Sequence, residues 1–436
     1  MGDPLVVHHY DADGIAAAAI VCLARKKNGK ETRTRSSKQL DEGSVALLQG
    51  ERELVFADLG SGQLDSIETL DADCVVIDHH PPGRANGVTH FNPHGYGFDG
   101  ATECSASAAA FHCFKHLEIV GTARLGITGA VGDMQDLGGF RGLNKEMLDY
   151  AVEKGEAKTG RDLRLPGRAS LPLAEFLANC AEPFLPGLTG DDKACALFLK
   201  NQGIPLKRAE RWLKYLDLDE RDRQRLASSL ITYCINNAVN SEAVKAMAGE
   251  IYRFPNFQGE EADAHEFAAL LNACGRNNAA EKGVAACMGD AQALGEARGL
   301  LFDYRRSVRE GIKCAIVKGF DAGPFYLVDC RGEVSDTIIG VVASAYLNSG
   351  LVKRNKPAIA LSLDGSRVKV SGRGTAWLVE KGLDLGEAFR KAAQAAGGRG
   401  GGHDVAAGAA FEATKENEAA FLKKAREVIE VQLEMR

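Results

Sequence analysis

The feature that most constrains this fold is a short apolar run that ends in carboxylate or imidazole groups, and it occurs three times. The runs are LVVHHYDADG at residues 5–14, ELVFADLG at 53–60 and DCVVIDHH at 73–80. β-Branched residues in each run predict a short buried strand. A helical pattern over residues 14–27 follows the first run. Strands that alternate with helices predict a parallel α/β sheet, whose functional groups collect at the carboxyl ends of the strands.

The rest of the chain divides into two further regions. Helical stretches at about 103–117 and 121–134 complete the first region, and helical patterns such as PLKRAERWLKYL (205–216) dominate from about 145 to 310. They predict an all-α insertion that ends in a long connecting helix. Strand signals return beyond 312, beginning with CAIVKG (314–319). We therefore predict an α/β protein with domains at 1–145, 146–311 and 312–436, the last a smaller α/β domain.

Composition places the chain among cytoplasmic globular proteins. Apolar residues make up 45% of the 436 residues, and no run of about 18 apolar residues predicts a membrane span. The N-terminus lacks the pattern of a cleavable signal. None of the eleven cysteines forms a C-x-x-C pair, which predicts reduced core thiols. The net charge of −6 argues against a bulk coat on nucleic acid but allows a local basic groove.

The polar groups at the predicted strand ends form a candidate metal site. A fourth cluster, GDMQD at 132–136, adds two carboxylates. The candidate ligands and their neighbours are His9, Asp11, Asp13, Asp58, Asp78, His79, His80, Asp133 and Asp136. Because so many carboxylates at one edge repel each other, we expect cations among them. Asp and His together suit Mn²⁺ or Mg²⁺, with Zn²⁺ or Fe²⁺ possible. The ligands outnumber one metal's needs, and paired metals are typical of phosphoryl hydrolysis.

Each cluster alone has a simpler explanation. DADG is a common turn, in which Asp caps a backbone amide and Gly takes a positive φ. A single histidine after a strand is more often structural than a ligand. Four such clusters in order, each after an apolar run, are not explained by turns alone.

Glycines near the C-terminus form a second signal. The stretch GRGGGH holds Gly400, Gly401, Gly402 and His403, and its amides and imidazole suit an anion. Arg373, in VSGRG, suits a bidentate contact with a phosphate. A flexible loop would explain the glycines alone. The small apolar residues that follow favour close packing beside a ligand site.

These motifs together resemble the DHH phosphoesterase superfamily. HYDADG, ADLG, DHH and GDMQD stand in the order of that family, and SGR and GGGHDVAAG resemble its DHH-associated C-terminal domain. The resemblance covers about residues 5–136 and 312–411. With a long helical insertion between them, the arrangement is most similar to archaeal RecJ-like proteins, including the GINS-associated nuclease. It implies an active site in the cleft between the two α/β domains.

The resemblance also implies roles for individual residues. His9, Asp11 and Asp58 would hold one of two metal ions, and Mn²⁺ is the expected metal. The ligands of the second ion would be Asp13, Asp58, His79 and Asp133. His80 would lie near the scissile phosphate, and Asp78 would orient a ligand. The substrate contacts would come from Arg373, Gly400, Gly401, Gly402 and His403. The roles of Asp136 and His8 stay open, since His8 precedes the motif and is expected on the other face of its strand.

Three functions fit this pattern. The first is an exonuclease that digests single-stranded DNA or RNA in replication and repair, and the large insertion favours it. The second is a phosphodiesterase for short oligonucleotides or cyclic dinucleotides. The third is a replication subunit that binds GINS or another protein through the insertion, although the complete ligand set argues against a purely structural role. Two basic clusters suit a nucleic-acid backbone, although solvated helix faces also explain them: Lys207, Arg208, Arg211 and Lys214, and Arg305, Arg306 and Arg309.

Overall fold

The computed structural model describes residues 3–84, 87–181 and 183–434. The chain forms two compact units, each built from two separate segments. Met1–Ser170 and Ala248–Phe302 form the first unit, and Leu171–Met247 and Asp303–Arg436 form the second. The region predicted as one helical insertion therefore contributes to both units.

The first unit is built on a five-stranded sheet in the order β2-β1-β3-β4-β5, and all of its neighbouring strands are parallel. Its elements are β1 (Leu5–His9), α1 (Ala12–Lys27), β2 (Arg33–Ser37), α2 (Glu42–Ala46), β3 (Glu53–Ala57), α3 (Leu64–Glu68), β4 (Asp73–Ile77), β5 (Thr89–Phe91), α4 (Ala106–Phe114), α5 (Thr122–Gly132) and α6 (Gly142–Glu153). The predicted parallel α/β sheet is confirmed. The sequence did not predict β2 and β5, because RTRSS is polar and THF is short.

The strand order brings the predicted polar clusters to one edge. β1 lies between β2 and β3 in the sheet. The direction in which successive strands are added therefore reverses between β1 and β3. The carboxyl ends of β1, β3 and β4 carry the three polar clusters. α1 follows β1 directly, and its alanines are buried. Because alanine is small, α1 packs closely, and a Cβ on Gly14 would lie 2.4 Å from the His9 carbonyl oxygen.

The central region contains both helices and strands. Its elements are β6 (Lys158–Leu163), α7 (Leu173–Ala178), α8 (Asp192–Asn201), β7 (Lys207–Arg208), β8 (Arg211–Trp212), α9 (Glu220–Asn236), α10 (Ser241–Ala246), β9 (Ala248–Arg253), α11 (Ala264–Arg276), α12 (Ala280–Cys287) and α13 (Ala291–Lys318). β6 pairs antiparallel with β9, and β7 pairs antiparallel with β8. The expectation of an all-α insertion was wrong in this respect.

The predicted helix at 205–216 is a β-hairpin. β7 and β8 are joined by a two-residue turn in which Ala209 has a φ of +53°. The side chains from Lys207 to Trp212 are all exposed, so this stretch has no apolar face that a helix could bury. The basic cluster that begins at Lys207 therefore lies on a hairpin and the residues directly after it.

The second unit contains a six-stranded mixed sheet in the order β10-β11-β12-β13-β15-β14. Its elements are β10 (Phe320–Asp321), β11 (Tyr326–Asp329), α14 (Ile339–Leu347), β12 (Ala358–Asp364), β13 (Arg367–Arg373), α15 (Ala376–Glu380), α16 (Leu385–Ala395), β14 (Arg399–Gly402), β15 (Ala406–Glu412) and α17 (Lys415–Gln432). β11 and β12 are its parallel pair, and the other neighbours are antiparallel. The predicted C-terminal α/β domain is confirmed.

One local prediction in this region was wrong, and the simpler explanation of the glycines as a flexible loop is excluded. CAIVKG (314–319) does not form a strand, because α13 continues to Lys318 and buries Val308, Ile312 and Ala315 at helical spacing. The Gly-rich stretch is not a loop but strand β14, which pairs with β15. Within the described ranges, no helix is both long enough and apolar enough to cross a membrane.

Candidate metal centre

The end of β1 places three polar side chains around the start of α1. Asp11 caps α1, since its carboxylate accepts a hydrogen bond from the Gly14 amide (3.1 Å). His9 Nδ1 lies 2.9 Å from Asp11 Oδ2 and 3.3 Å from Asp58 Oδ2. His8 is fully buried and its Nδ1 hydrogen-bonds the His9 carbonyl oxygen (2.7 Å), which keeps it out of this cluster. The structure therefore separates the two adjacent histidines.

Asp13 is buried in the first turn of α1 and faces the N-terminus of α4. Its Oδ2 accepts a hydrogen bond from the Ala106 amide (2.7 Å), and its Oδ1 accepts one from the Ser107 amide (3.1 Å). A helix N-terminus stabilises a carboxylate in this position. Burial and the nearby Asp58 and Asp133 nevertheless raise the pKa of Asp13 to about 8. A positive charge in the site would reverse that shift.

Asp58 lies between the clusters of β1 and β4. It is buried directly after β3 and has a φ of +62°, which is uncommon for a residue other than glycine. The Asp58 amide hydrogen-bonds the Ile77 carbonyl oxygen (2.9 Å), which holds this turn against β4. Its Oδ1 lies 3.2 Å from His79 Nε2. Burial and the charge of Asp11 raise the pKa of Asp58.

The three residues of the DHH motif after β4 make different contacts. His79 Nδ1 donates to the Gly100 carbonyl oxygen (2.7 Å), so Nε2 faces Asp58 and Asp133. Asp78 accepts hydrogen bonds from the His80 ring (2.8 Å) and the Ser61 amide (2.9 Å). Burial opposes its ionisation, but the contacts with His80 and the Ser61 amide hold the pKa of Asp78 well below its usual value. His80 is half exposed and held by Asp78.

The two aspartates of GDMQD occupy different places. Asp133 ends α5, and its Oδ2 lies 3.7 Å from His79 Nε2. Asp136 is buried elsewhere, with its Oδ2 at 2.6 Å from an Arg164 guanidinium nitrogen and 2.9 Å from His265 Nε2. Asp136 therefore belongs to a buried ion-pair network and does not face the other carboxylates.

Gln135 is a site residue that the sequence reasoning missed. Its amide nitrogen donates to Asp133 Oδ2 and to the Gly100 carbonyl oxygen (both 2.9 Å), and its oxygen accepts from Asn144 (2.7 Å). Gln135 thus orients Asp133 and contacts the carbonyl that also holds His79. Its position between two aspartates of a recognised motif was the available signal.

Three groups of these side chains are spaced as metal ligands. The groups are His9, Asp11 and Asp58; Asp13, His79 and Asp133; and Asp58, Asp78, His79 and His80. Within each group the candidate donor atoms lie within 4.8 Å of one another. Asp58 Oδ1 and His9 Nδ1 are buried, and among the described residues their contacts are close in distance but lack hydrogen-bond geometry. Because buried polar atoms normally have partners, this donor set fits divalent cations.

The pKa shifts of the two histidine rings support the same conclusion. Burial opposes a charge on His9, but the nearby carboxylates of Asp11 and Asp58 raise its pKa to about 11. Burial likewise opposes a charge on His79, but Asp58 and Asp13 raise its pKa to about 11. Protons on these rings balance carboxylates that would otherwise repel each other. A divalent cation can replace those protons.

The predicted substrate contacts lie in the second unit, at one end of its sheet. Arg373 at the end of β13 pairs in register with Ala406, and Gly402 pairs with Ala407. The His403 amide donates to the Ala406 carbonyl oxygen (2.9 Å), and the His403 side chain is exposed. β-Sheet register thus brings the SGR and GGGH motifs together. Gly400 and Gly401 lie further back along β14.

Both basic clusters contain residues that are already paired within the protein. In the hairpin cluster, Arg211 pairs with Asp217 (2.5 Å), and Lys207 lies over the Trp212 ring. On α13, Arg309 pairs with Asp192 (2.5 Å) and Arg306 with Asp303 (3.0 Å). Part of the charge in each cluster is therefore already balanced within the protein.

Three family models match successive parts of the chain. They are the DHH family N-terminal domain at residues 4–129, the DHH-CID domain at 165–248 and the DHHA1 domain at 323–431. An uncharacterised protein of Methanocaldococcus jannaschii is 28% identical over 438 residues, covering 98% of this chain and 93% of that protein.

Solved structures show the same fold at low sequence identity. CDC45 from Entamoeba histolytica has a TM-score of 0.64 at 13% identity, covering 98% of this chain and 95% of that chain. Exonuclease RecJ bound to manganese has a TM-score of 0.57 at 16% identity, covering 98% of this chain and 90% of that chain. These similarities extend over both compact units.

Proposed function

Because this chain belongs to the DHH family, we propose that it is a metal-dependent phosphodiesterase, most similar in activity to RecJ and acting as a single-strand exonuclease. The observation that carries this proposal is the buried Asp58 carboxylate, which lies between His9 and His79. Two groups of donor atoms adjoin that carboxylate, one with His9 and Asp11 and one with His79. One shared carboxylate between two ligand groups is the arrangement that a two-metal hydrolase needs.

The first proposed ligand set is one of the groups of donor atoms, and the second adds Asp58 to the group of Asp13, His79 and Asp133. His9, Asp11 and Asp58 would hold one ion. We expect this ion to be Mn²⁺ rather than Mg²⁺. The second ion would be held by Asp13, Asp58, His79 and Asp133. When bound, divalent cations in such a pair supply a nucleophile at neutral pH and withdraw charge from a phosphoryl oxygen.

The surrounding residues hold these groups in position. The Gly100 carbonyl fixes the tautomer of His79 through its hydrogen bond to Nδ1. Asp78 orients the half-exposed ring of His80, which suits contact with the scissile phosphate or proton transfer to the leaving oxygen. We assign the phosphate contacts on the second unit to Arg373, Gly400, Gly401, Gly402 and His403.

The proposed substrate is single-stranded DNA or RNA. The fold is shared with exonuclease RecJ, and the segment between the DHH and DHHA1 domains adds a large surface for a polymer. We place the activity in the cytoplasm, in DNA replication or repair, in an archaeal cell like that of the M. jannaschii relative. A role as a partner of GINS or another replication protein is compatible with the CDC45 fold. A phosphodiesterase for short oligonucleotides or cyclic dinucleotides is the alternative.

The deciding experiment is Mn²⁺-dependent digestion of single strands that carry a label at either the 5′ or the 3′ end. DNA and RNA are compared, and a dinucleotide serves as the short substrate. Progressive loss of long strands from one end would establish an exonuclease and its polarity. Cleavage of the dinucleotide alone would move the protein to the short-substrate class.

The matched control is Asp58→Ala. We expect it to abolish turnover with the fold intact, because Asp58 adjoins both ligand groups. Circular dichroism of the variant checks the fold. Retained turnover in a folded Asp58→Ala variant would contradict the two-metal assignment.

A further inference from the structure

An open pocket of about 600 Å³ lies in the second unit, among residues that the proposed chemistry does not use. Its walls come from the segment 238–242 after α9, from Arg354 and Asn355, and from Thr375 to Trp377 at the start of α15. The DHH-CID and DHHA1 regions both contribute to it. All of these residues belong to one compact unit.

The pocket adjoins the end of the sheet that carries the predicted phosphate contacts. Thr375 follows Arg373 by two residues, and the intervening Gly374 amide hydrogen-bonds the Val405 carbonyl oxygen (2.8 Å). Val405 in turn lies between His403 and the start of β15. A strand bound at Arg373 and His403 therefore has this pocket directly beside it.

Trp377 gives the pocket an aromatic wall. Trp377 is 51% exposed, although tryptophan is among the residues that gain most from burial. The Thr375 hydroxyl caps α15 through the Leu378 amide (3.2 Å), which holds the turn that carries the ring. Exposed aromatic rings beside a basic groove are the surfaces on which single-stranded bases stack.

Arg354 gives the pocket a positive charge. Its Nε is buried and forms no hydrogen bond among the described residues, and burial lowers the pKa of this guanidinium. A buried donor without an acceptor is costly, so an acceptor from a ligand would be stabilised there. The acidic residue of the pocket, Glu242, is already paired with Lys245 (2.9 Å). The pocket therefore suits an anion.

We propose that this pocket is a nucleotide subsite, in which a base of the bound single strand stacks on Trp377 and a phosphate of the same strand pairs with Arg354. The inference rests on the proposed function, since it concerns the substrate of the same enzyme. Every base has a π-face, so the subsite accepts any base. It lengthens the contact with a single strand beyond the phosphates held by Arg373 and His403.

Tryptophan fluorescence tests the subsite without requiring turnover. The chain has two tryptophans, so Trp212→Phe leaves Trp377 as the only one. An oligothymidylate is titrated into this variant of the full chain in the presence of a chelator, so that it is not cleaved. We expect saturable quenching by the oligonucleotide and none by inorganic phosphate. Unchanged fluorescence while the same strand binds, as followed by anisotropy of a label, would overturn the inference.

Kinetics provide the second test. Trp377→Ala should raise KM for long single strands about tenfold and change kcat by less than about twofold, because stacking contributes to binding. Trp377→Phe, the matched control, should keep most of the affinity, and Arg354→Gln should also raise KM. Since Trp377 is half exposed, its removal leaves no buried cavity, and circular dichroism checks the fold.

The outcomes separate the two proposals. Quenching without hydrolysis of any strand would leave the subsite standing and reject the proposed exonuclease activity. Hydrolysis of long strands with the same KM in Trp377→Ala, and without quenching, would reject the subsite and leave the exonuclease standing.

Discussion

At the scale of single residues, Asp58 has an unfavourable backbone conformation that places its carboxylate in the site. A left-handed conformation costs most residues other than glycine about 1–2 kcal/mol, although aspartate adopts it more readily than most, and Asp58 does so at a φ of +62°. The hydrogen bond from its amide to Ile77 helps to offset this cost. The turn places its carboxylate between His9 and His79. The conformation is therefore best explained by the position that the carboxylate must take.

The two aspartates of GDMQD should respond differently to the same substitution. We expect Asp133→Asn to weaken Mn²⁺ binding at least about tenfold, because it removes a charged ligand, with little effect on the stability of the metal-free protein. We expect Asp136→Asn to lower the free energy of unfolding by about 3 kcal/mol, because it leaves Arg164 without its carboxylate, and to leave Mn²⁺ affinity unchanged.

Urea unfolding of the metal-free variants and calorimetric titration with Mn²⁺ measure the two quantities. Each variant serves as the control for the other, since the residues are three positions apart in one motif. Equal losses of metal affinity in both would show that Asp136 acts at the metal after all.

Metal binding should depend strongly on pH. In the metal-free protein the pKa of Asp13 is raised to about 8 and the pKa values of His9 and His79 to about 11. These groups hold protons near pH 7, and a cation must displace them. Affinity for Mn²⁺ should therefore rise with pH, by about tenfold or more per unit between about pH 7 and 8. Calorimetry in two buffers of different ionisation enthalpy counts the released protons, and an affinity independent of pH would contradict this account.

At the scale of elements, the glycines of β14 have a packing role that the motif did not reveal. A Cβ on Gly400 would lie 2.6 Å from the Phe389 carbonyl oxygen and 2.9 Å from the Ala393 Cβ, both on α16. Gly400 therefore allows α16 to pack on the edge of the sheet. The GGGH motif combines this close packing with the proposed phosphate contact.

Substitution of two glycines tests the packing role. Gly400→Ala should lower the free energy of unfolding by about 1–3 kcal/mol, because the methyl group has no room. Gly408→Ala on the neighbouring strand is the control, since the nearest atom to its added Cβ lies at 3.7 Å and stability should hardly change. Urea unfolding compares them, and similar stabilities would argue that α16 does not need the glycine.

At the scale of the whole molecule, the N-terminal sheet depends on helices that come much later in the chain. The Ala12 amide hydrogen-bonds Asn272 Oδ1 (3.0 Å), and a Cβ on Gly275 would lie 1.8 Å from the Tyr10 carbonyl oxygen. α11 and α12 thus cover α1, which would otherwise expose apolar surface. The first unit is therefore one compact unit made from two segments that are distant in the sequence.

A fragment experiment tests this dependence. Residues 1–145 alone should fail to unfold cooperatively, because α1 lacks α11 and α12. A chain that joins 1–170 to 248–302 by a short Gly-Ser linker should unfold cooperatively, since β6 and β9 already bring Leu163 opposite Ala248. Thermal circular dichroism distinguishes them. A stable, cooperative 1–145 fragment would show that the later helices are dispensable.

The sequence by itself determined the family, the parallel sheet and the order of the candidate ligands. This was possible because each candidate directly follows a strand or helix with a strong local pattern, and the carboxyl ends of parallel strands share one edge. His9, Asp58 and His79 converge for that reason, although their roles as ligands stay predictions.

Only the tertiary structure decided what depends on distant partners. It separated Asp136 from Asp133, because Arg164 and His265 lie 28 and 129 residues away from Asp136. It showed that Gln135 orients Asp133, that residues 207–212 form a hairpin, and that the Trp377 pocket exists. The local patterns in these segments were ambiguous. Contacts between segments far apart in sequence decided the place of Asp136 and formed the pocket, whereas residues 207–212 are exposed and pair with one another across a two-residue turn.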